Sequence, residues 1–165
     1  MIFLTVGTQF PFDRLVKSVD DAIGRKGTGE DVFAQIGDSS YQPRNLKAVK
    51  VLDKDSFDRH FRKASSIIGH AGMGTISLAL QHGKPLLVVP RRKRYGEVVN
   101  DHQVDIAEKF AQLGHVLVAH DVDELPEMLA QLRTFAPVPR DVNCGTVAER
   151  IAEFLGELAA AKGKV

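Results

Sequence analysis

Residues 69–77 read GHAGMGTIS and place three glycines and a histidine directly after the apolar run SSII. Gly72 and Gly74 lack the Cβ atoms that would hold a phosphate away from the backbone. Backbone amides near Gly74 and Thr75, together with the Thr75 hydroxyl, could then donate hydrogen bonds to phosphate oxygens, and His70 offers a further donor. The stretch is typical of an anion-binding loop; a tight turn in which His70 only caps a backbone group is the alternative.

The glycine spacing differs from that of the common nucleotide-binding signatures. Its order is G-x-x-G-x-G rather than G-x-G-x-x-G, and the basic run RRKRYG lies where an acidic ribose ligand would stand, which argues against a nicotinamide dinucleotide. The sequence contains no G-x-x-x-x-G-K-[ST] motif and no His, Cys, Asp and Glu cluster with zinc spacing. We therefore expect neither a cofactor nor a bound metal.

A second polar stretch, NDHQ at 100–103, follows the apolar run PLLVVP and lies near the start of a helical pattern. The carboxylate of Asp101 and the amide of Gln103 suit vicinal hydroxyls, so a site that joins both stretches would fit a nucleotide sugar. Asn100 or Asp101 acting only as a helix N-cap is the alternative. The basic run Arg91–Arg94 is read either as a solvated loop or as a phosphate-binding element that uses Arg91 and Arg92.

Short apolar runs and helical patterns alternate along the chain, which predicts a Rossmann-like, mostly parallel sheet with helices on both faces. We expect strands at 1–6, 31–36, 48–52, 65–69, 85–90 and 115–119, and helices at 12–23, 57–64, 75–82, 99–113 and 122–132. The glycine stretch follows the fourth strand and NDHQ follows the fifth. Because parallel neighbours end at the same edge, both stretches should meet there, where α/β sheets bind ligands.

Length and composition favour one domain over residues 1–165, in which 135–165 forms a connector and a docked amphipathic helix. The apolar face of that helix carries Val147, Ile151, Phe154, Leu155 and Leu158. A net charge of +1 gives no overall attraction for nucleic acid or an anionic membrane. The single Cys144, the lack of a signal peptide and the lack of a long apolar run predict a cytoplasmic location.

Three blocks in order carry a family resemblance over residues 1 to about 130: TVGTQFPFDRLV, GHAGMGTI…AL…GKPLLVVPRR and GE…NDHQ. They resemble one-domain proteins of bacterial exopolysaccharide and capsule synthesis that match the C-terminal half of family 28 glycosyltransferases. These proteins are related to the catalytic subunit of the split N-acetylglucosaminyltransferase that extends dolichol-linked sugar. The resemblance implies the donor half of a GT-B enzyme, which binds a UDP-sugar, and a separate membrane-associated subunit that binds the acceptor.

The family pattern also implies roles for individual residues. The donor diphosphate would lie on Gly72, Met73, Gly74 and Thr75, near His70. Sugar hydroxyls would contact Asp101 and Gln103, with His102 between them in the same site. Gly7 and Thr8 would line the cleft toward the partner, and uracil would lie near the backbone of Leu52 and Asp53. Many relatives have a ribose-binding glutamate where this chain has Leu78, which leaves the ribose to Ser77 or another residue.

The implied reaction is inverting transfer of a sugar from UDP to a hydroxyl of a lipid-linked saccharide, without a covalent intermediate. Helix-terminal amides and His70 would stabilise the departing UDP in place of a metal. Asp13 is a candidate general base, and a side chain of the partner half is the alternative.

The chain is expected to act with its partner at the inner face of the membrane. The Gly7–Thr8 loop, and Phe154 and Leu158 of the terminal helix, would contact this partner, and an open sheet edge also allows isolated chains to form a homodimer. Two other functions stay open: a non-catalytic, nucleotide-sugar-binding regulatory subunit, and a truncated protein similar to sugar-nucleotide epimerases.

Overall fold

Six short apolar runs form one all-parallel β-sheet in the computed structural model, which describes residues 1–26 and 30–139. The strands are β1 (Ile2–Thr5), β2 (Val32–Gln35), β3 (Lys47–Val49), β4 (Ser66–His70), β5 (Leu86–Val89) and β6 (Leu117–Val118). Their order in the sheet is β3-β2-β1-β4-β5-β6. Each of the six predicted strands is confirmed, with ends that differ by up to three residues.

Helices connect the strands as the periodicity predicts. They are α1 (Asp13–Lys26), α2 (Lys54–Lys63), α3 (Met73–Gln81), α4 (His102–Gln112) and α5 (Leu125–Leu132). Helix starts differ from the predicted ones by up to three residues: α2 and α3 begin earlier, and the other three begin later. Helix α4 begins at His102 rather than at 99, because the chain turns at Gly96 (φ 70°) and the Lys93 amide binds the Asp101 carboxylate at 2.7 Å. The pattern at 122–132 begins as a 3-10 turn, Val122–Glu124, and becomes α-helical only at Leu125, directly before Pro126.

Alternate residues of the strands face two apolar layers, one on each side of the sheet. Ile2 and Leu4 belong to a buried cluster with α1 and α5, whereas Phe3 belongs to a second cluster with α2, α3 and α4. Both faces of the sheet are therefore covered by helices. This arrangement confirms the predicted Rossmann-like architecture.

The strand order reverses between β1 and β4, which are hydrogen-bonded neighbours at the centre of the sheet. The chain leaves β1 toward β2 and β3, and leaves β4 in the opposite direction toward β5 and β6. The connections diverge on opposite sides and leave a crevice at the carboxyl ends of β1 and β4. This topological switch point is where α/β proteins bind ligands.

Residues 135–139 form neither helix nor strand. The predicted terminal helix, with Val147, Ile151, Phe154, Leu155 and Leu158, lies outside the described residues. None of the helices in ranges 1–26 and 30–139 has the length and apolar character needed to cross a membrane.

Candidate functional site

The glycine stretch lies at the switch point, where β4 ends at His70 and α3 begins at Met73. Gly72 occupies the N-cap position with extended backbone (φ −88°, ψ 134°), and no side chain caps the helix. The first intrahelical bond joins the Ile76 amide to the Gly72 carbonyl at 3.1 Å. The preceding amides, at Met73, Gly74 and Thr75, are therefore available to an anion, and the helix dipole favours negative charge there.

His70 lies between two glycines. A Cβ added to Gly72 would stand 2.2 Å from the His70 Nε2 atom, and one added to Gly7 would stand 3.1 Å from its Cε1 atom. Gly7 also has a φ of 76°, in the left-handed region that favours glycine. The two glycines thus make room for the imidazole, and they bring the segment after β1 against the end of β4.

The His70 imidazole is neutral at physiological pH. Burial, together with the positive charge of Arg91, lowers the pKa of His70 to about 4. Its Nδ1 atom is buried and has no hydrogen-bond partner among the described residues. His70 is therefore suited to donate one hydrogen bond as a neutral ring, while a role as a cation is disfavoured.

Arg91, predicted to bind phosphate, lies inside the protein. Its side chain is 3% exposed, and its Nη2 atom donates to the carbonyl oxygens of Val6 and Phe10, both at 2.7 Å. Its guanidinium carbon lies 5.0 Å from the centre of the Phe12 ring. This side chain holds the segment after β1, so a direct contact between Arg91 and an anion stays a prediction that the geometry disfavours.

The remaining basic side chains of the loop point in different directions. Arg92 donates to the His120 carbonyl, with Nη2 at 3.0 Å, and Arg94 pairs with Asp121 at 2.6 Å. The exposed Lys93 side chain forms no hydrogen bond or ion pair with the described residues. A role of Arg92 as an anion ligand stays a prediction. Of the basic side chains in this loop, Lys93 is the one free to pair with an anion.

The NDHQ residues divide into an exposed and a buried part. Asp101 and His102 are exposed; Asp101 stands at the N-cap position of α4, yet its carboxylate accepts from the Lys93 amide and does not cap the helix. The His102 Nδ1 atom contacts the Asn100 side-chain oxygen. Gln103 is 6% exposed, and its Oε1 atom accepts from the Arg91 amide at 3.1 Å. Sugar binding by these residues stays a prediction.

Asp13 is engaged within the protein. Its carboxylate accepts from the Ser39 and Ser40 hydroxyls and, at 3.0 Å, from the Ser40 amide. Burial alone would raise the pKa of Asp13, but these hydrogen bonds outweigh burial and lower it. A carboxylate with a lowered pKa is a weak proton acceptor, so its role as general base stays a prediction that the geometry disfavours.

The other predicted donor contacts lie on loops at the same edge. Thr8 is exposed beside Gly7. The Leu52 amide donates to the Gln35 side chain at 3.0 Å, and Asp53 caps α2 by accepting from the Ser56 amide at 2.8 Å. Leu78 packs on the core cluster between the sheet and α2, α3 and α4, and Ser77 is partly buried. The uracil and ribose assignments stay predictions.

Sequence patterns missed the residues that join the loops at this edge. Arg14 pairs with both carboxylate oxygens of Glu97, with Nε–Oε1 at 2.8 Å and Nη2–Oε2 at 3.0 Å, and with Asp121 at 3.2 Å. Its guanidinium carbon also lies 4.4 Å from the centre of the Tyr95 ring. This cluster connects the segments after β1, β5 and β6. Glu97 belongs to the GE pair of the family resemblance, which was the available signal.

Two cavities lie away from the crevice. One, of about 550 Å³, is lined by α1 and α5 residues such as Ala22 and Leu129, and the other, of about 820 Å³, is lined by residues such as Asp20 and Tyr41. Neither is lined by a residue predicted for the donor site. No group of three His, Cys, Asp or Glu side chains that could hold a metal ion is present in the described part of the chain. Metal independence stays a prediction.

The strand order and the helix that starts at the switch point define the chain as a Rossmann-like α/β domain. A family model described as the glycosyltransferase family 28 C-terminal domain matches residues 1–149. The chain belongs to this family, and its fold is equivalent to the C-terminal half of a GT-B glycosyltransferase.

Curated relatives support this assignment. The chain is 33% identical over 124 residues to human UDP-N-acetylglucosamine transferase subunit ALG13, a match that covers 70% of this chain and 10% of the relative. The ALG13 subunit of Eremothecium gossypii is 39% identical over 99 residues, which cover 58% of this chain and 44% of that protein. The chain thus spans less than half of these relatives' lengths.

Solved structures share the fold. The solution structure of ALG13 matches with a TM-score of 0.59 and 21% identity, over 91% of this chain and 93% of that one. MurG of Acinetobacter baumannii matches with a TM-score of 0.54 and 23% identity, over 80% of this chain and 40% of MurG. The second match corresponds to one part of a longer chain.

Proposed function

We propose that this protein is the catalytic, donor-binding subunit of a two-component inverting glycosyltransferase. The observation that carries the proposal is the uncapped N-terminus of α3 at the switch point, beside the neutral His70, in a chain of glycosyltransferase family 28. Gly74 adds support, because a Cβ at this position would meet no protein atom within 4 Å. The protein itself does not require a glycine there, whereas a closely approaching diphosphate would.

The proposed chemistry needs charge stabilisation at the leaving group. The bond between the anomeric carbon and the β-phosphate oxygen of the UDP-sugar breaks, and a bond to the acceptor hydroxyl oxygen forms on the opposite face. The acceptor proton passes to a base, and the departing UDP gains negative charge. The amides of Met73, Gly74 and Thr75 and the His70 N–H would stabilise this charge.

A partner subunit is proposed to complete the enzyme. The relatives are named as subunits of a UDP-N-acetylglucosamine transferase, which makes this nucleotide sugar the first donor to test. Large apolar side chains are also exposed on segments that follow the carboxyl ends of the strands: Phe10, Val51, Met73, Tyr95 and Val99. Exposed apolar side chains concentrated on one edge of a protein are typical of a surface that binds another protein. The base would then come from the partner.

The acceptor is proposed to be a lipid-linked saccharide. We propose exopolysaccharide or capsule synthesis as the pathway because of the sequence resemblance. The names of the curated relatives do not mention this pathway. We infer a location at the inner face of the membrane through the partner.

A regulatory, non-catalytic subunit is the second candidate. It is favoured by the engagement of Asp13 with Ser39 and Ser40, whose hydrogen bonds lower the pKa of this candidate base and weaken it as a proton acceptor. The catalytic and the regulatory subunit would both bind the donor, so only a measurement of sugar transfer distinguishes the two proposals.

The binding test compares UDP with NAD. UDP at millimolar concentration should raise the melting temperature and slow amide exchange at residues 70–76, and NAD should do neither. If neither UDP nor a UDP-sugar has an effect, with or without the partner, the donor-binding proposal is wrong.

The transfer test uses the purified chain and the product of the neighbouring gene. Label from UDP-N-acetylglucosamine should enter membrane lipid only when both proteins are present, and His70→Gln should reduce this transfer. Efficient transfer by the chain alone would contradict the two-component proposal. Donor binding without transfer by the pair, across several UDP-sugars, would favour the regulatory subunit.

A further inference from the structure

Arg91 directs its side-chain hydrogen bonds and its aromatic contact to the segment that follows β1. Its Nη2 atom bridges the carbonyl oxygens of Val6 and Phe10, at 2.7 Å each, and its guanidinium lies against the Phe12 ring. Gly7, where an added Cβ would stand 3.1 Å from the His70 Cε1 atom, lies between the two bridged carbonyls. The Nη2 group of Arg91 therefore holds the segment on both sides of Gly7, whereas the buried Nε atom has no hydrogen-bond partner among the described residues.

The backbone of Arg91 links the same unit to α4. Its amide donates to the Oε1 atom of the buried Gln103 in the first turn of that helix. One residue thus connects the ends of β1 and β5 with the start of α4. His70 at the end of β4 lies close to Gly7 of this unit, with little room for a Cβ between them.

The charge of Arg91 has no direct counterion. Among residues 1–26 and 30–139, no carboxylate lies within ion-pair distance of it. Glu97 acts on its pKa, but Glu97 is itself paired with Arg14 at 2.8 Å. Burial of an unpaired cation is costly, and holding a loop through carbonyl groups requires only neutral donors. A buried charge at this place suits a site that receives an anion.

We propose that Arg91 is a positioning residue of the donor site, which holds segment 6–10 over His70 and maintains a fixed positive charge behind the crevice. The second half of this statement rests on the proposed function, since it presumes a diphosphate in the crevice. The guanidinium acts without touching the donor.

Arg91 is the charged side chain that acts on the His70 imidazole. His70 packs against β1, β5, the segments after them and the start of α3, and the backbone of Thr5 favours its protonated form. The other charged groups of these segments are bound elsewhere or exposed: Asp13, Arg14, Arg92, Lys93, Arg94, Glu97 and Asp101. The pKa of His70 therefore reports the presence and place of the Arg91 charge.

The experiment compares Arg91→Met and Arg91→Lys with the matched control Arg62→Met. Arg62 is exposed near the end of α2 at the opposite edge of the sheet. NMR titration of the ligand-free proteins should show a His70 pKa that is higher in Arg91→Met than in the wild type and unchanged in Arg62→Met. A His70 pKa that stays the same in folded Arg91→Met would overturn the proposal.

Arg91→Lys separates the effect of the charge from that of the guanidinium geometry. It tests the positioning role even if Arg91→Met does not fold. Lysine keeps the charge but lacks the planar guanidinium, which places Nη2 between the two carbonyls and lies against the Phe12 ring. We expect a His70 pKa near the wild-type value and lower backbone order parameters at residues 7–10. Unchanged order parameters would show that the guanidinium does not hold the segment.

Binding of UDP and uridine tests the effect on the anion. Arg91→Met should weaken UDP about tenfold and uridine much less, because only UDP carries phosphate charge. Equal weakening of both ligands would overturn the electrostatic part of the proposal. If the wild type binds no UDP, the proposed function fails, while the titration and the order parameters still decide the positioning role.

Discussion

Glycine stands at three positions of the crevice for three different physical reasons. Gly7 has a positive φ of 76°, and Gly72 leaves the space that the His70 ring occupies. Gly74 satisfies neither condition, since its Cβ would project into open space. The glycines, together with their place between a strand and a helix, predicted an anion-binding loop, and anion binding stays a prediction. The sequence could not separate the three roles, because two of them depend on a ring position set by distant strands.

Gly74→Ala should separate ligand binding from folding. Alanine at this helical position meets no protein atom and has the higher helix propensity, so the melting temperature should stay the same or rise slightly. The added methyl group should weaken UDP about tenfold, because it occupies the space that a phosphate would approach. Calorimetric titration with UDP, and with uridine as the control, measures this effect. Unchanged UDP affinity would place the diphosphate elsewhere.

Asp101→Asn and Gln103→Ala should behave differently, because one residue is exposed and the other is buried. Gln103→Ala leaves the Arg91 amide without its acceptor and should lower the free energy of unfolding by about 1–3 kcal/mol. Asp101→Asn should leave stability nearly unchanged and weaken UDP-sugar more than UDP. Urea denaturation and calorimetric titration measure the two effects. Equal losses for UDP and UDP-sugar in Asp101→Asn would remove Asp101 from the sugar site.

His70 should make stability depend on pH in a defined window. Its pKa is about 4 in the folded protein against 6.5 for an unperturbed imidazole, so the unfolded state binds the extra proton. Stability is complete above pH 6.5 and is lost as pH falls toward 4, by about 3 kcal/mol in all. Asp13, Asp20 and Asp121 have pKa values lowered from 3.8 and lose their contributions only below this window.

The measurement is urea denaturation at intervals between pH 7 and 4.5. The wild type should lose stability over this range, and His70→Gln should lose clearly less. A parallel decline in both proteins would mean that other groups cause the pH dependence and that His70 titrates normally.

At the scale of elements, α1 holds the loop between β2 and β3 through two carboxylates. Asp20, which is 1% exposed, accepts from the Tyr41 hydroxyl at 2.8 Å and from the Asn45 amide at 2.7 Å. Asp13 binds Ser39 and Ser40 of the same loop. Burial would raise the pKa of Asp20, but hydrogen bonds, chiefly from the amides of Arg44 and Asn45, outweigh it and lower the pKa. These bonds fix the loop against α1.

Asp20→Asn should destabilise the protein by about 1–3 kcal/mol, because the neutral amide is a poorer acceptor for several buried donors. The neighbouring Asp21→Asn is the matched control, since Asp21 is only partly buried and forms no ion pair or side-chain hydrogen bond with the described residues. Urea denaturation at pH 7 measures both variants. A similar loss in both would show that helix charge, and not the bonds to the loop, is responsible.

Elements were predictable where a local apolar pattern determines them. Four strands are buried runs, such as LLVV at β5, whereas the edge strands β3 and β6 are exposed or only partly buried. The parallel order of all six follows from their alternation with helices. The start of α4 was not predictable, because a bond from the Lys93 amide to Asp101 holds the preceding turn. Arg91 was likewise interpreted as part of a basic loop, since its carbonyl partners at Val6 and Phe10 lie some eighty residues away in the chain.

At the scale of the whole molecule, helices cover both faces of the sheet but leave its carboxyl edge exposed. Phe10 is 51% exposed and Val99 81% exposed on segments at this edge. In the proposed enzyme, a second subunit covers this edge and brings the acceptor to the donor. The sequence predicted the edge at which the glycine and NDHQ stretches meet, but the exposure of these side chains required the packed structure.

Phe10→Ser and Val99→Ser should therefore weaken binding of the partner subunit and leave folding intact. Neither side chain is buried in the free chain, so the melting temperature should change little. Each substitution should reduce partner affinity about tenfold, because it removes apolar area from the interface.

Val138→Ser is the matched control. Val138 is also 51% exposed, but its amide bonds to the carbonyl of Gly114, which follows the C-terminal end of α4, away from the crevice. The chain and the neighbouring-gene product are co-expressed, and their affinity and sugar transfer are measured together. If the edge variants bind the partner as well as Val138→Ser does, the carboxyl edge is not the interface, even if transfer still requires both proteins.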